Sequence, residues 1–595
     1  MSRCGEARRA GRPDPLGLSA RVITLWYVTA IENRYPVVEP TVGSGPVLDA
    51  AATTRCRRRV HLDHDPGAAT APRAMPDPAL EQRRADAVAH REQIGARLAA
   101  DLGGEWCEIP AGLPGAERVE ATARAVAAGA RLIWGAALPT DRAAGRRGSP
   151  ELLVRVPGGG YVPVIVVRHR ITDPGSGAVT AALDAPWPQR ARLDEERKVR
   201  SQPRDLMRLA HLNRMLRTAG WAAEPRLRHG DHGGVIGLDA DVVVWHDLRA
   251  GHWPGGRSTL AEYDARFTDR LAVATAAATG APALAEPSRI TECRRCPWWP
   301  TCEAELERAE DVSLVVRGEY AGVLREVGVG TVAKLAALDP AAEPPVEVPG
   351  LPFADLVALA RARLRGLAVV RRVPQVAVVR ADIEVDVDME SFGEAGAYLW
   401  GALLRHPGGR QAGDEPDGYR AFATWDPVPT QDEARSFAAF WTWLSAVRAR
   451  AAATGRTFAA YCYNEQAENR WLLASAARFA GMPGIPPTAE VEEFIAHPGW
   501  IDLFAVVSEW FLCAQGKGLK RIAPAAGFAW RDPEAGGENS MRWYRNAVGM
   551  DGAPPDPQQR ERLLAYNADD VHATHALREW MTSRAVEEVP LAADL

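Results

Sequence analysis

A strand-forming segment rich in carboxylates places the tightest constraint on how this chain can fold. The segment ends in Asp388-Met389-Glu390-Ser391, and residues i and i+2 of a β-strand project from the same face. Asp388 and Glu390 therefore project together and can share divalent cations, while Met389 turns towards a hydrophobic core. Carboxylate oxygens are hard ligands that suit Mg²⁺ or Mn²⁺. The pattern predicts a sheet with a metal site on one face of this strand.

The same strand offers competing carboxylate pairs. Asp382 with Glu384, and Asp386 with Asp388, have the same spacing, and a single Asp-x-Glu is a common sequence. We favour Asp388 with Glu390 because Ser391 and the apolar run Tyr398-Leu399-Trp400-Gly401 follow, as a second strand of the sheet would.

A second acidic motif lies near the C-terminus. Tyr566 and Asp570 are four residues apart on a helix-like segment, so both side chains lie on one helical face and point into one cleft. The phenol can then orient a water molecule while Asp570 binds metal. Asp569 is an alternative to Asp570, but the Tyr-x-x-x-Asp spacing favours the latter.

A further acidic group is expected between these two motifs. The apolar run Ala459-Ala460-Tyr461-Cys462 reads as a strand that leads to Asn464, with Glu468 four residues further on and a helix after it. In-line attack of water on a phosphodiester requires two metals about 4 Å apart. We predict Glu468 as the third metal ligand.

These motifs carry a resemblance that covers residues 375–590. The segment resembles an RNase H-like exonuclease domain of the DEDD group, tyrosine variant, close to the type in bacterial YprB-like proteins. The resemblance implies metal-dependent 3′→5′ hydrolysis of a DNA or RNA end, with Asp388, Glu390, Glu468, Tyr566 and Asp570 as the site. The DEDD enzymes generally have Asp at the second motif, where this chain has Glu468, whose extra methylene still reaches a metal.

Four of the eight cysteines form a separate pattern. Three are clustered as Cys293-x2-Cys296-x5-Cys302, in a chain without the apolar core of a secretory signal, and such clustering predicts a metal site rather than disulfides. A four-ligand site needs one more thiol, and Cys56 is the natural partner. The set resembles the Fe–S clasp of RecB-type nucleases, which implies a [4Fe–4S] cluster, with zinc as the alternative.

The RecB resemblance covers residues 46–306 and implies a second nuclease centre. His90 and Glu151 fit two of its positions, but the other side chains do not fit: Ile165 and Val167 replace the Glu-x-Lys pair, and Arg208 and Leu212 replace the Gln and Tyr of a helix. Apolar side chains cannot bind a hard cation. We predict a catalytically inactive scaffold that still grips nucleic acid.

The remaining segments complete an α/β architecture of several domains. Residues 1–45 lack periodicity and are predicted to be a disordered or wrongly assigned tail, and residues 307–372 contain helices around Gly328-Val329-Gly330. This part resembles helix-hairpin-helix modules, which bind a phosphate backbone through exposed amides; the alternative is a plain helical linker. Residues 373–595 form the RNase H-like domain, where Lys520 either contacts nucleic acid or caps a helix.

Composition limits the partners. The formal net charge of −5 over 595 residues does not indicate a bulk nucleic-acid binder, although residues 55–59 and 190–204 are locally basic. No apolar run approaches the roughly 20 residues of a membrane span, so we predict a cytoplasmic protein. The sequence contains no Gly-x4-Gly-Lys-[Ser/Thr] motif, so a helicase would be a separate partner. The alternative function is a non-catalytic Fe–S scaffold that binds nucleic acid for such a helicase, and DNA is not distinguished from RNA because no motif reveals contacts to the 2′-OH.

Overall fold

The chain forms two compact units that meet in sequence between Arg308 and Ala309. The computed structural model describes residues 45–75, 78–239, 241–550 and 552–595. The predicted N-terminal tail lies outside the described residues, except for Gly45. Within these ranges no helix combines the length and the apolar character needed to cross a bilayer.

The first unit is built on an eight-stranded mixed sheet in the order β1-β2-β3-β4-β9-β10-β6-β7. Its strands, with the separate β5–β8 pair, are β1 (Trp106–Glu108), β2 (Leu132–Trp134), β3 (Leu152–Arg155), β4 (Tyr161–Val166), β5 (Thr172–Pro174), β6 (Val179–Ala182), β7 (Arg192–Leu193), β8 (Arg197–Val199), β9 (His232–Ile236) and β10 (Val242–Asp247). Every residue of β4 is buried, which is typical of a central strand covered on both faces.

In the described part of this unit, six α-helices accompany the sheet. They are α1 (Arg57–His64), α2 (Pro78–Asp101), α3 (Gly115–Ala127), α4 (Pro203–Thr218), α5 (Thr259–Ala278) and α6 (Trp299–Arg308). Alternate side chains of β4 divide between two cores: Ile165 packs with Leu209 of α4 on one face, and Val164 packs with Leu98 of α2 on the other. The sheet is therefore an internal layer.

The second unit begins with the helices α7 (Glu319–Glu326), α8 (Val332–Ala336) and α9 (Phe353–Leu364). Between α7 and α8 the chain turns at Gly328, whose φ of 86° favours glycine. The Arg361 guanidinium of α9 donates to the Ala336 carbonyl at 2.9 Å and to the Leu338 carbonyl at 3.0 Å, which ties α9 to the end of α8. The helix, glycine turn and second helix lie where the sequence predicts them.

The rest of the second unit contains a five-stranded sheet in the order β14-β13-β12-β15-β16. The strands are β12 (Ile383–Ser391), β13 (Ala397–Arg405), β14 (Gly418–Ala423), β15 (Phe458–Cys462) and β16 (Trp500–Asp502), while β11 (Val369–Arg371) pairs with β17 (Phe511–Cys513). The pairs β14–β13 and β13–β12 are antiparallel, whereas β12–β15 and β15–β16 are parallel. Strand β12 is thus central.

Helices cover this sheet as α10 (Asp432–Ala453), α11 (Gln466–Arg478), α12 (Thr488–Ala496), α13 (Leu503–Trp510), α14 (Leu519–Ile522), α15 (Gly537–Val548) and α16 (Pro557–Met581). The odd-numbered residues of β12, Ile383 to Met389, pack in one core with Phe437, Phe440 and Trp441 of α10. The even-numbered residues are Glu384, Asp386, Asp388 and Glu390, and α16 packs against β12. The long C-terminal helix therefore meets a strand face made of carboxylates.

Candidate metal centre

The four carboxylates of β12 divide into two pairs with different partners. Arg578 of α16 is fully buried; it donates to Glu384 at 3.0 Å and to Asp386 through its other terminal nitrogen. Arg380 also donates to Glu384, at 2.7 Å. A buried carboxylate requires such pairing, so these two residues form a structural ion-pair network. This pairing favours Asp388 with Glu390 over the competing pairs that begin at Asp382 or Asp386.

The other pair faces Asp570. One carboxylate oxygen each from Asp388, Glu390 and Asp570 lie within 4.8 Å of one another. Burial and the neighbouring negative charges raise the pKa of Asp388 and of Asp570, and they raise the pKa of Glu390 to about 8. Like charges held this close favour protonation or a bound cation. A hard-oxygen donor set of this kind fits Mg²⁺ or Mn²⁺.

Neighbouring donors fix two of these carboxylates. The Ser540 hydroxyl of α15 donates to Glu390 Oε2 at 3.0 Å, and the Trp530 indole N–H donates to Asp570 Oδ1 at 2.6 Å. Hydrogen bonds to a ligand's second oxygen commonly orient it towards a metal. These contacts hold the two carboxylates on one side of the sheet.

Tyr566 lies beside the acidic group, where the sequence places it. The Lys520 ammonium donates to the phenol oxygen at 2.8 Å and is 3.7 Å from Asp570 Oδ1. Burial and the nearby carboxylates Glu390, Asp570 and Asp388 raise the pKa of Tyr566. Lys520 sits in the short helix α14, but its charge points into the site. Of the two roles left open by the sequence, a charged contact at the site fits this position.

Glu468 is near the acidic group but outside it. The residue is 4% exposed, in the first turn of α11, and its Oε2 has no hydrogen-bond partner among the described residues. Burial raises its pKa to about 8, with further contributions from Asp502 and Glu390, and its charge also acts on Asp388. An unpaired buried carboxylate oxygen next to the site is suited to a second cation.

Two further acidic residues, Asp569 and Asp502, lie close to this site. Asp569, the alternative to Asp570, accepts bonds from the Arg531 backbone N–H at 3.0 Å and its guanidinium at 2.7 Å, so it faces away from the acidic group. Asp502, at the end of β16, adds negative charge near Glu468 and was missed. Its Oδ1 accepts from the Asn464 and Phe504 backbone N–H groups, each at 2.8 Å. An Asp after a short apolar strand was the signal that could have revealed it.

At the predicted second nuclease centre, in the first unit, the candidate ligand Glu151 forms an ion pair. Glu151 accepts from Arg208 at 2.7 Å and from the Val166 backbone N–H at 3.1 Å, and Arg91 lies 3.5 Å away. His90 is buried, and burial lowers its pKa. The Ile165 side chain belongs to the apolar core, and both Glu151 oxygens are engaged by the protein.

Cys56, Cys293, Cys296 and Cys302 line one pocket together with Arg58, Arg59 and Glu292. All four are free thiols, and burial raises the pKa of Cys296 to about 11 and that of Cys302 to about 12. Within the described part of the chain, no three of these sulfur atoms lie within 4.8 Å of one another.

A family model described as RNase_H superfamily matches residues 479–582. No curated protein matches the chain, and no solved structure does. The matched segment includes Tyr566 and Asp570, and it supports an RNase H-like domain at the C-terminal end of the chain. Such domains are commonly nucleases that use divalent metals, so the predicted RNase H-like part is confirmed at this level. The RecB-type resemblance and the Fe–S cluster stay predictions.

Proposed function

We propose that the second unit is a two-metal exonuclease that hydrolyses DNA or RNA from the 3′ end, in nucleic-acid repair or processing. The observation that carries the proposal is the convergence of Asp388, Glu390 and Asp570 within 4.8 Å in a unit whose C-terminal part matches the RNase_H superfamily. The buried, unpaired Oε2 of Glu468 supports a further ligand. The 3′→5′ polarity follows from the DEDD resemblance.

Each side chain then has a role in hydrolysis. Divalent cations bound to Asp388, Glu390, Glu468 and Asp570 would lower the pKa of a water and stabilise the leaving oxygen. The Tyr566 phenol accepts from Lys520 and hydrogen-bonds the Asp570 carboxylate, and from this position beside a metal ligand it would orient the attacking water. The Lys520 ammonium supplies positive charge where a phosphate would approach.

The test is degradation of 5′-labelled single-stranded DNA and RNA by the full chain with Mg²⁺ or Mn²⁺. We expect a ladder that shortens from the 3′ end, and a 3′-labelled copy should release its label as a mononucleotide in the first turnovers. A 3′-terminal phosphorothioate should slow the first step. Products that begin at the 5′ end would contradict the polarity.

A non-catalytic scaffold that partners a helicase is the second candidate, and two features of the first unit favour it. The Glu151–Arg208 ion pair occupies the predicted RecB-like centre. In addition, Cys56 lines the same pocket as Cys293, Cys296 and Cys302, although more than 230 residues of sequence separate it from them. Binding of both labelled strands without cleavage in either metal would make this candidate the leading one.

We further propose that the four cysteines, which line one pocket, bind a [4Fe–4S] cluster, as the RecB resemblance implies, with zinc as the alternative. Protein purified without oxygen should then be brown, absorb near 400 nm and contain about four iron atoms per chain. Cys296→Ser should lose most of this absorbance, whereas Cys107→Ser, at a cysteine outside the pocket, should retain it. A colourless protein with one zinc per chain would overturn the cluster.

Metal should stabilise the second unit more at high pH than at low pH. The Glu390 pKa rises from 4.5 to about 8 on folding, so the folded state binds a proton that the unfolded state has lost between these values. The stability from the protonated carboxyl is complete below about pH 4.5 and is lost as pH rises through 8. Because Mg²⁺ binds the ionised carboxylates, it offsets that loss.

Thermal unfolding in EDTA and in Mg²⁺ at pH 5.5, 7.0 and 8.5 measures this effect. The Mg²⁺-induced increase in Tm should grow with pH, and Glu390→Gln should lose most of that growth. An equal Mg²⁺ shift at all three pH values would contradict the assignment of Glu390.

A further inference from the structure

Asn567, on α16, links the acidic group to a second tyrosine. Its Nδ2 donates to Asp388 Oδ2 at 2.7 Å, and its Oδ1 accepts from the Tyr419 hydroxyl at 2.7 Å. The Asn567 side chain is fully buried. A buried amide that makes hydrogen bonds on both sides is fixed in one orientation, since a flipped amide would place its oxygen against a carboxylate.

Gly401 provides the room for this amide. On β13 it is the direct cross-strand partner of Asp388, so a side chain here would project beside the Asp388 carboxylate. A Cβ at this position would lie 1.7 Å from Asn567 Oδ1 and 3.1 Å from Tyr419 Cε2. Gly401 is not among the glycines with positive φ. Glycine is therefore required at position 401 because a side chain would clash with Asn567, and not because of the backbone conformation.

The chain from Tyr419 through Asn567 to Asp388 constrains one carboxylate of the acidic group. The amide engages Oδ2, which fixes the carboxylate plane relative to Glu390 and Asp570. A ligand whose orientation is fixed before metal arrives loses less conformational freedom on binding. Partners that orient a ligand in this way commonly change metal affinity by about 10- to 100-fold.

We propose that Tyr419, Asn567 and Gly401 form a positioning relay that sets the affinity of Asp388 for divalent metal. The relay rests on the proposed two-metal function. Asn567 and Tyr419 are positioning residues that act through Asp388. Because Gly401 has no side chain, the Asn567 amide can reach Asp388 on β12, whereas a larger residue at position 401 would block this contact.

Titration of the full chain with Mn²⁺ alone, followed by the EPR signal of the free ion, tests the relay without any nuclease assay. Asn567→Ala should weaken binding about 10- to 100-fold, and Tyr419→Phe about fivefold, as expected for one lost neutral hydrogen bond. Gly401→Ala should weaken binding because its methyl displaces the amide. Combining Gly401→Ala with Asn567→Ala should add little to Asn567→Ala alone, since the clash is then relieved.

Tyr161→Phe is the matched control. That tyrosine is buried in the first unit and its hydroxyl donates to the Ala130 carbonyl at 2.8 Å, so its loss removes one hydrogen bond outside the unit that carries the acidic group and should leave Mn²⁺ affinity unchanged. Asn567→Ala and Tyr419→Phe with wild-type affinity would overturn the relay, even if their Tm falls, since that result indicates a structural role alone. If Asn567→Ala does not fold, Tyr419→Phe decides the question. Absence of Mn²⁺ binding by the wild-type chain would instead overturn the proposed function.

Discussion

Replacing Asp388 by Asn and Glu390 by Gln is expected to lower the rate of phosphodiester hydrolysis at least about a thousandfold. The two substitutions keep size and shape but remove two of the three charges that converge within 4.8 Å. Metal ions contribute several kcal/mol of transition-state stabilisation in such reactions, and about 4 kcal/mol corresponds to a factor of a thousand. Single-turnover cleavage of a labelled oligonucleotide measures the change.

The same double variant should be more stable than the wild type when metal is absent. Burial and mutual repulsion raise the pKa of both carboxyls, so neutral amides relieve an unfavourable interaction. Activity and metal-free Tm should therefore change in opposite directions, as is common for substitutions in active sites. Asp569→Asn is the matched control, because that carboxylate bonds Arg531 outside the acidic group and should keep most of the activity. Hydrolysis that survives in the double variant would refute the site.

Arg578→Met is expected to destabilise the second unit by about 3–5 kcal/mol, the range for removal of one partner from a buried ion pair. Glu384, Asp386 and Arg578 are all fully buried. Without the guanidinium, both carboxylates would remain in the interior with reduced compensation, although Arg380 still contacts Glu384. Urea denaturation of the wild type and the variant measures the difference in free energy of unfolding.

Two further variants test whether the loss of stability comes from the buried ion pair. Arg435→Met removes the exposed pair with Asp432 and should cost less than about 1 kcal/mol, as surface pairs do. Adding Glu384→Gln and Asp386→Asn to Arg578→Met should recover much of the lost stability, because no charge is then left unpaired. A single variant as stable as the wild type would show that the carboxylates find other compensation.

The parts of the site that depend on local geometry could be read from the sequence. The two-residue period of a strand puts Asp388 and Glu390 on one face, and the four-residue spacing on a helix does the same for Tyr566 and Asp570. The structure brings these groups together, with Glu468 beside them. Cys293, Cys296 and Cys302 are also close together in the sequence, and their spacing predicted a shared site. In the structure they line one pocket together with Cys56.

The choice among the acidic pairs of β12 depends on a contact that no local pattern contains. Arg578 lies more than 190 residues from Glu384 and Asp386, and only the packing of α16 reveals which carboxylates it neutralises. Gly401 is a similar case: in the sequence it interrupts an apolar strand, whereas in the fold it is the space that Asn567 fills. Asp502 was missed because its neighbours come from another strand and helix.

Helix α16 carries Tyr566, Asn567, Asp570 and Arg578, so the rotation of this helix about its axis positions residues of both the acidic site and the ion pair, which lie on the same face of β12. Each residue advances an α-helix by about 100°. One residue inserted between Asp570 and Arg578 would therefore turn the arginine away from Glu384 and Asp386 if the carboxylate of Asp570 stayed in place. The ion pair therefore fixes the rotation of the helix about its axis, and the site depends on the length of the interval from Asp570 to Arg578 as well as on the identity of the residues at its two ends.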